Sequence, residues 1–249
     1  MSLPNITAII PARMASTRLP GKPLLDLCGK PIIQWVYERA IAANCFDMIL
    51  VAAPDKEIID AVEGFGGRAV LTSPNHRSGA DRLAEVCGKM DVGDIIINIQ
   101  GDEPLIDSQA VAELAASLAQ DGAIQMGSLM RPLGESDNPD DPNLVKVVVD
   151  CDSFALYFSR SRIPYVRDVG TMSRVYGHIG VYAYRKDFLL KYASMAPTML
   201  EKAESLEQLR AVENGYRIKM IETETKPIGV DTQEDFERVQ ALVSGGGLL

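Results

Sequence analysis

The feature that most constrains the fold is the alternation of short β-branched runs with longer amphipathic segments through the first 150 residues. The apolar runs predict strands at Ile6–Ile10, Met48–Ala52, Arg68–Thr72, Asp94–Ile99, Gln125–Met130 and Val145–Asp150. Apolar residues at helical spacing predict helices at Pro31–Ala43, Ser78–Met90 and Ser108–Ala119, with Ser108 as a candidate N-cap. Strands that alternate with helices form βαβ units, so this part of the chain predicts an α/β fold with a mostly parallel sheet.

The regular alternation of strand-like and helix-like segments ends after residue 130. Residues 131–143 are rich in Pro, Asp and Asn and predict a long loop. Further strands are predicted at Leu144–Asp150, Ala155–Phe158, His178–Tyr184 and Arg217–Ile221, and further helices at Glu201–Asn214 and Thr232–Val243. The region around 150–185 is interpreted as an antiparallel extension, with plain continuation of the sheet as the alternative. We expect one domain over residues 1–249.

Composition narrows the class of protein. The chain has 249 residues and a formal net charge of -9, from 25 basic and 34 acidic side chains. A surface that coats nucleic acid needs the opposite balance. Four scattered cysteines without a C-x-x-C pair, and two distant histidines, argue against a disulfide framework or a histidine-rich zinc site. No apolar run approaches the ~18 residues of a membrane span. We expect a cytoplasmic protein without membrane insertion.

The loop that follows the first predicted strand is unusually basic for an acidic chain. Residues 11–23 read PARMASTRLPGKP and place Arg13, Arg18 and Lys22 near Ser16 and Gly21. Ligands of open α/β sheets bind at the carboxyl ends of strands, and backbone N–H groups with Arg and Lys can hold phosphate there. A solvated basic loop is the simpler alternative. The segment matches neither the P-loop nor the dinucleotide pattern, so it predicts a phosphate site of another kind.

Two acidic segments are candidate cation sites. The segment NIQGDEP, 98–104, follows a buried strand, where Asp102 could hold a hard divalent cation and Gln100 could bond a base or sugar. An ordinary Gly–Asp turn without a bound cation would give the same sequence pattern. Asp231 precedes a predicted helix in GVDTQED, and from the residues alone the helix N-cap, by Asp231 or Thr232, is the favoured interpretation.

Three further segments carry charged or polar side chains that could contact a ligand. Arg160 in YFSRSRIP could pair with a carboxylate, or be merely exposed. His178 and Tyr182 lie four residues apart, on one face of a predicted strand, where structural roles are the commoner case. Glu207 and Gln208 are adjacent on a predicted helix and so point about 100° apart, which favours direct contact by only one of them.

Several of these segments together resemble a known family. The blocks are IIPARMASTRLPGKPL, SGADRLAEV, NIQGDEPLI, NLVKVVVD, ALYFSRSRIP, GHIGVYAYR, LEQLRAVENG and GVDTQEDFERV. In this order they resemble the cytidylyltransferases that activate acidic sugars, and most closely the 3-deoxy-manno-octulosonate (Kdo) cytidylyltransferase family. The resemblance extends over nearly the whole chain.

The resemblance implies a three-layer fold like that of nucleotide-diphospho-sugar transferases. It implies that CTP and Kdo give CMP-Kdo and diphosphate for lipopolysaccharide assembly, with Mg²⁺ bound by Asp102 and Asp231. The catalytic residues expected are Arg13, Lys22, Asp102 and Asp231. The nucleotide contacts expected are Arg13, Ser16, Arg18, Lys22, Arg82 and Gln100. The sugar contacts expected are Gln100, Arg160, His178, Tyr182, Glu207 and Gln208. A homodimer formed through the 150–185 extension is also implied.

The chain departs from the family pattern at two places. Where the family reads V-A-T-D-D, this chain reads VAAPD, so Ala53 and Pro54 lack a hydroxyl and a carboxylate and Asp55 remains. Where the family reads S-G-T-[DE]-R, Ala80 replaces Thr while Arg82 is kept. A cytidylyltransferase for another acidic sugar is the nearest alternative, and the departures at Ala53, Pro54 and Ala80 leave open a catalytically silent nucleotide-binding protein. A purely structural α/β domain would leave the basic loop unexplained.

Overall fold

The β-branched runs form one mixed sheet. The structure, a computed structural model, describes residues 4–16, 18–168 and 174–245. Within these ranges, the strands are β1 (Ile6–Pro11), β2 (Asp26–Leu27), β3 (Lys30–Pro31), β4 (Met48–Ala53), β5 (Ala69–Leu71), β6 (Ile95–Asn98), β7 (Met126–Pro132), β8 (Lys146–Val149), β9 (Ala155–Ser159), β10 (Tyr176–Arg185) and β11 (Ile218–Glu222). The helices there are α1 (Ile32–Ala42), α2 (Lys56–Gly64), α3 (Gly79–Lys89), α4 (Ser108–Gln120), α5 (Lys186–Ser194), α6 (Met199–Glu204), α7 (Leu209–Glu213) and α8 (Gln233–Ser244).

The central strands are apolar on both faces, which explains the continuous β-branched runs. In β1, Ala8 and Ile10 belong to one buried cluster, whereas Ile9 between them belongs to the other. The first cluster includes residues of α1, α2 and α4, and the second includes residues of α3, α5 and α7. Helices therefore cover both faces of the sheet, and the predicted three-layer α/β fold is confirmed.

The sheet is parallel among strands β1, β4, β5 and β6, where strand-like and helix-like segments alternate regularly in the sequence. Its main order is β11-β7-β10-β6-β1-β4-β5, with β8 and β9 attached beside β10. Strand β1 pairs in parallel with β4 and β6, and β5 and β11 also pair in parallel with their neighbours. Strand β10 runs antiparallel between β6 and β7. The loops after β1 and β6 therefore leave the sheet at the same edge, as the sequence predicts.

Most predicted elements match the structure within one or two residues, but three predictions need correction. The predicted helix over 201–214 is two short helices, α6 and α7, separated by residues 205–208. Helices α2 and α5 were not anticipated. Ser108 is not the N-cap of α4, because Asp107 is, and the Ser108 hydroxyl donates instead to the carbonyl of Arg39 at 2.8 Å.

The predicted extension contains β9 and all of β10, and its residues 169–173 lie outside the described residues. The structure has antiparallel strands here, as expected. In the described part of the chain, no helix is both long and apolar enough to cross a membrane. The single-domain and homodimer expectations stay predictions.

Replacing Asp107 with Ala tests how α4 is held beside the sheet edge. The Asp107 carboxylate accepts from the backbone N–H of Gln109 at 2.9 Å and from the hydroxyl of Thr225 at 2.6 Å. We expect Asp107→Ala to lower the free energy of unfolding by about 1–2 kcal/mol in urea denaturation. The control is Glu113→Ala on the exposed face of the same helix, and equal losses in both variants would contradict the capping role.

Candidate active site

The loop after β1 is fixed at three points along its backbone. The N–H of Ala12 donates to the carbonyl of Ala52 at 3.0 Å, which prolongs the β1–β4 pairing. The N–H of Met14 donates to the Asp55 carboxylate at 2.7 Å, and the carbonyl of Met14 accepts from Gly21 at 3.2 Å. Gly21 has a φ of 69°, in the left-handed region that favours glycine. The loop therefore folds back on its own beginning.

The basic loop meets two carboxylates that come from distant parts of the chain. The Lys22 ammonium lies 2.6 Å from Asp102 and 3.0 Å from Asp231, and the Arg18 guanidinium lies 3.1 Å from Asp231. The N–H of Val230 donates to the carbonyl of Asp102 at 2.9 Å and so joins the two acidic segments. The two carboxylates converge on one cation, as the sequence predicts for a shared ligand site.

Local backbone features explain this convergence. A Cβ on Gly101 would lie 2.7 Å from the carbonyl oxygen of Pro11, so the turn after β6 approaches the end of β1 only because residue 101 is glycine. Thr232, rather than Asp231, is the N-cap of α8, in a capping box with Asp235. Of the two N-cap candidates, Thr232 is therefore the cap, and the Asp231 carboxylate pairs with Arg18 and Lys22 instead.

The electrostatics of this cluster favour a bound cation. Burial lowers the pKa of Lys22, but the bonds to Asp102 and Asp231 outweigh it, so the net pKa is raised. Glu103 lies beside them with a buried Oε2 that has no hydrogen-bond partner, and burial and the two aspartates raise its pKa to about 8. Two carboxylates within 3.0 Å of one ammonium form a donor set that suits a hard divalent cation sharing phosphate oxygens.

The basic loop and the two aspartates form one wall of the site, and the segment before α3 forms a second wall. The Arg82 guanidinium donates to the hydroxyl of Thr72 and to the carbonyl of Ser73. The Glu85 carboxylate accepts from the N–H of Ser73 at 2.8 Å and contacts the ring of His76. Burial opposes ionisation of Glu85, but bonds from Lys89, His76 and Ser73 prevail and lower its pKa to about 2. This segment is thus held by two side chains of α3.

These walls enclose a cavity of about 830 Å³. Nine of the predicted site residues line it: Arg13, Ser16, Arg18, Lys22, Arg82, Gln100, Asp102, Glu207 and Asp231. His76 and Arg77 also line it, although the sequence analysis did not select them. The only signal for these two was their place just before the SGADRLAEV block. Burial lowers the pKa of Arg82, and repulsion by Arg13 adds to this, so the cavity concentrates positive charge suited to an anion.

Gln100 connects the cavity to an irregular part of β10. Its side-chain amide donates to the carbonyl of Gly180 at 2.9 Å. The β10–β7 pairing shifts register between Ile179 and Tyr182, and the Ser128 hydroxyl lies within 3.1 Å of the carbonyls of Ile179 and Val181. A β-bulge of this kind re-aims neighbouring side chains and often lies beside an active site.

His178 and Tyr182 share a face of β10 as predicted, but they do not line the cavity. Their ring centroids are 5.4 Å apart, and Phe158 lies 5.0 Å from His178 on another side. The His178 Nε2 lies 2.8 Å from the Ser128 hydroxyl. Burial lowers the pKa of His178 to about 3 and raises the pKa of Tyr182, with further contributions at Tyr182 from Glu207 and Glu103. Both rings are therefore uncharged at neutral pH.

Arg160 also lies off the cavity wall. Its guanidinium donates to the backbone carbonyls of Glu204 at 2.7 Å, Pro142 at 2.9 Å and Ser205 at 3.2 Å. The Glu204 carboxylate in turn accepts from the N–H of Arg160 at 2.9 Å and the hydroxyl of Ser159 at 2.7 Å. Through these contacts Arg160 holds the segment that follows α6. A contact between Arg160 and the sugar stays a prediction.

The contacts of Arg160 also explain why the predicted helix over 201–214 is divided into α6 and α7. Carbonyls of Glu204 and Ser205 accept from Arg160 rather than from the next helical turn, and Ser205 has a φ of 51°. The break leaves Glu207 on the cavity wall and Gln208 buried at the start of α7. Burial raises the pKa of Glu207. The expectation that one of this pair reaches the site matches the geometry, whereas the continuous helix was wrong.

The departures from the family pattern lie behind the cavity. Ala53 and Ala80 are fully buried, each in one of the two main core clusters, and neither they nor Pro54 line the cavity. Asp55, the remaining carboxylate of VAAPD, contacts the basic loop through Met14. The departures that suggested a silent binder therefore leave the cations and carboxylates of the cavity wall in place.

Comparison with known proteins agrees with this geometry. A sequence model of the cytidylyltransferase family matches residues 7–221. A protein of Syntrophotalea carbinolica named 3-deoxy-manno-octulosonate cytidylyltransferase is 49% identical over 249 residues, covering 97% of this chain and 99% of the relative. The chain belongs to the 3-deoxy-manno-octulosonate cytidylyltransferase family. The resemblance that the sequence motifs indicate is thereby confirmed.

Solved structures support the same assignment. The structure of CMP:2-keto-3-deoxy-manno-octonic acid synthetase complexed with CTP superposes with a TM-score of 0.93 at 44% identity, covering 97% of this chain and 99% of that one. A putative glucose-1-phosphate thymidylyltransferase of Bacillus anthracis shares the fold, with a TM-score of 0.68 at 15% identity, and covers 95% of this chain and 94% of its own. The cytidylyltransferase family assignment therefore rests on sequence and fold together, whereas individual site residues stay predictions.

The buried imidazole of His178 gives a testable pH dependence. Its folded-state pKa of about 3 lies below the ordinary 6.5, so the unfolded chain takes up a proton first as the pH falls. The free energy of unfolding should therefore decrease from pH 6.5 downward, by up to about 2 kcal/mol at pH 5 from this residue. We expect His178→Gln to lose less stability than the wild type between pH 7 and pH 5 in urea denaturation. Parallel pH curves for the two proteins would contradict burial of a neutral imidazole.

Proposed function

We propose that this chain transfers a cytidylyl group from CTP to 3-deoxy-manno-octulosonate, giving CMP-Kdo and diphosphate for lipopolysaccharide biosynthesis. The observation that carries the proposal is the cavity of about 830 Å³ in which basic side chains surround the Asp102–Asp231 pair, within a fold that matches a CTP-complexed relative. Its chemistry is that of a nucleotidyltransferase: an anionic nucleotide and an acidic sugar brought together beside a cation site.

In the proposed reaction, the anomeric hydroxyl of the sugar attacks the α-phosphorus of CTP, the bond to the β-phosphate bridging oxygen breaks, and diphosphate leaves. Arg13, Arg18 and Lys22 hold the triphosphate and neutralise charge on the departing diphosphate, with Arg82 on the facing wall. No covalent intermediate with the protein is required, because positioning and electrostatic stabilisation supply the rate enhancement.

Asp102 and Asp231 would hold Mg²⁺, since their carboxylates converge and this ion is usually bound by one or two carboxylates together with substrate phosphates. When bound, the ion would supply Lewis-acid neutralisation of phosphate oxygens. In the described part of the chain, no three or more His, Cys, Asp or Glu side chains cluster as a metal site, so the two carboxylates would hold the ion together with substrate phosphates. Homodimer formation and a cytoplasmic location also remain proposals.

The sugar is proposed to bind beyond Gln100, on the side of the cavity that includes Glu207. His178 and Tyr182 support this side through the β10 bulge that Gln100 contacts. Gln208 and Arg160 act there through the segment that presents Glu207. The hydroxyls of Kdo suit the side-chain amide of Gln100 and the carboxyl group of Glu207, both on the cavity wall, as hydrogen-bond partners.

The direct test measures diphosphate release from CTP, Kdo and Mg²⁺. We expect release that requires the sugar, and a decrease of at least about a hundredfold in kcat for Asp102→Asn, which keeps the shape but removes charge at the proposed metal site. The matched control is Asp60→Asn, an exposed carboxylate paired with Lys56 on α2, which should retain wild-type activity. A folded wild type that releases diphosphate with another acidic sugar and not with Kdo would replace the substrate assignment. Binding of CTP without release for any acidic sugar would instead favour the silent-binder alternative.

Lys22 gives a second test of the cation site, with a readout other than turnover. Its ammonium lies between the two carboxylates that would hold the metal. We expect Lys22→Met to bind Mn²⁺ at least about tenfold more tightly than the wild type without nucleotide, because a competing positive charge is removed. The same variant should bind CTP more weakly. Calorimetric titration measures both, and unchanged Mn²⁺ affinity would place the metal elsewhere.

A further inference from the structure

Asp55 follows β4 and is the N-cap of α2, yet its side chain makes no capping hydrogen bond with that helix. Its backbone has the extended geometry of a cap, with φ -99° and ψ 123°. Asp is among the residues best suited to capping, because its carboxylate can accept from the free N–H groups of the first turn. Here that local bond is not made, and the carboxylate is used on another part of the chain.

The partner of the Asp55 carboxylate is the backbone N–H of Met14, at 2.7 Å and 41 residues upstream. The bond is partly buried, and a charged acceptor makes it stronger than an ordinary backbone hydrogen bond. Met14 directly follows Arg13, so the contact fixes the backbone beside one of the cations that line the cavity.

The same contact reaches Lys22 through one further bond. The carbonyl of Met14 accepts from Gly21 at 3.2 Å, and Lys22 is the next residue. Met14 is therefore the residue at which both arms of the basic loop meet, and Asp55 is the group that attaches this residue to the sheet. Loss of the Asp55 bond would therefore loosen Met14, through which both arms of the loop are connected.

The charge of Asp55 also acts on Arg82, a cation that lines the cavity. Burial is the main cause that lowers the pKa of Arg82, and repulsion by Arg13 adds to it, whereas Glu85 and Asp55 act in the opposite direction. The Asp55 carboxylate thus offsets part of the repulsion between two cations that must lie close to receive one triphosphate.

We propose that Asp55 is a positioning residue for the nucleotide phosphates: through Met14 it holds the basic loop in the conformation that presents Arg13 and Lys22. The inference rests on the proposed function, since the phosphates belong to the nucleotide that the site is proposed to bind. Pro54 replaces the first carboxylate of the V-A-T-D-D pattern that the family resemblance gives, and Asp55, which matches the second, makes the loop contact in this chain.

The experiment compares Asp55→Asn and Asp55→Ser with the wild type, and uses Asp60→Ser on the same helix as the matched control. Asn keeps an acceptor oxygen at the same reach but loses the charge. Ser remains a good N-cap for α2 but is too short to reach Met14, so it separates a capping role from the loop contact. The readouts are the Kd for CTP, the KM values for CTP and Kdo, and amide hydrogen exchange of a peptide covering residues 12–24.

We expect Asp55→Ser to weaken CTP binding roughly tenfold to a hundredfold, the range for a lost hydrogen bond to a charged group. Its KM for CTP should rise while its KM for Kdo is unchanged, and amide exchange in residues 12–24 should accelerate. Asp55→Asn should lie between it and the wild type, and Asp60→Ser should match the wild type.

Wild-type CTP affinity and wild-type exchange in Asp55→Ser would overturn the inference, and so would equal increases in both KM values. Failure of the proposed function would look different: the wild type itself would release no diphosphate with Kdo. The CTP affinity and the exchange of residues 12–24 would still test Asp55 in that case, because neither readout requires turnover.

Discussion

The ammonium group of Lys22, placed between the carboxylates of Asp102 and Asp231, is the interaction on which the arrangement of the site depends. It joins three loops that are far apart in sequence, at distances of 2.6 and 3.0 Å. Without a cation, two carboxylates this close would repel one another and separate. The pKa of Lys22 is raised in spite of burial, so the ion pairs prevail over desolvation. The same arrangement that preserves the site in the free protein also defines where a divalent cation would bind.

The sheet makes this meeting of loops possible. Strands β1 and β6 are parallel neighbours, so the basic loop and the Asp102 turn leave the sheet at one edge. The backbone bond from Val230 to Asp102 brings in the segment before α8. Although the chain carries a net charge of -9, five cationic side chains line this cavity: Arg13, Arg18, Lys22, Arg77 and Arg82. Local charge, rather than the overall balance, therefore determines which ligand the protein can attract.

The sequence was informative where short-range rules decide the structure. Strands buried on both faces appear as unbroken β-branched runs, and ligand loops at the carboxyl ends of strands follow from the parallel topology. Prediction failed where a distant side chain changes the local outcome. Arg160 captures carbonyls of residues 204 and 205 and breaks an otherwise plausible helix. Likewise, the contact between Asp55 and Met14 joins residues 41 positions apart, and no hydrophobic periodicity in the sequence predicts it.

We propose that the carboxylates of Asp102 and Asp231, which pair with Lys22 in the free protein, would hold a metal ion when the nucleotide binds. A crystal structure of the protein with CTP and Mn²⁺, with diffraction data collected at the manganese absorption edge, tests this most directly. The account predicts an anomalous peak in contact with both carboxylates, with the Lys22 ammonium moved onto a phosphate oxygen. A peak away from this pair, or a Lys22 that stays between the carboxylates beside bound CTP, would contradict it.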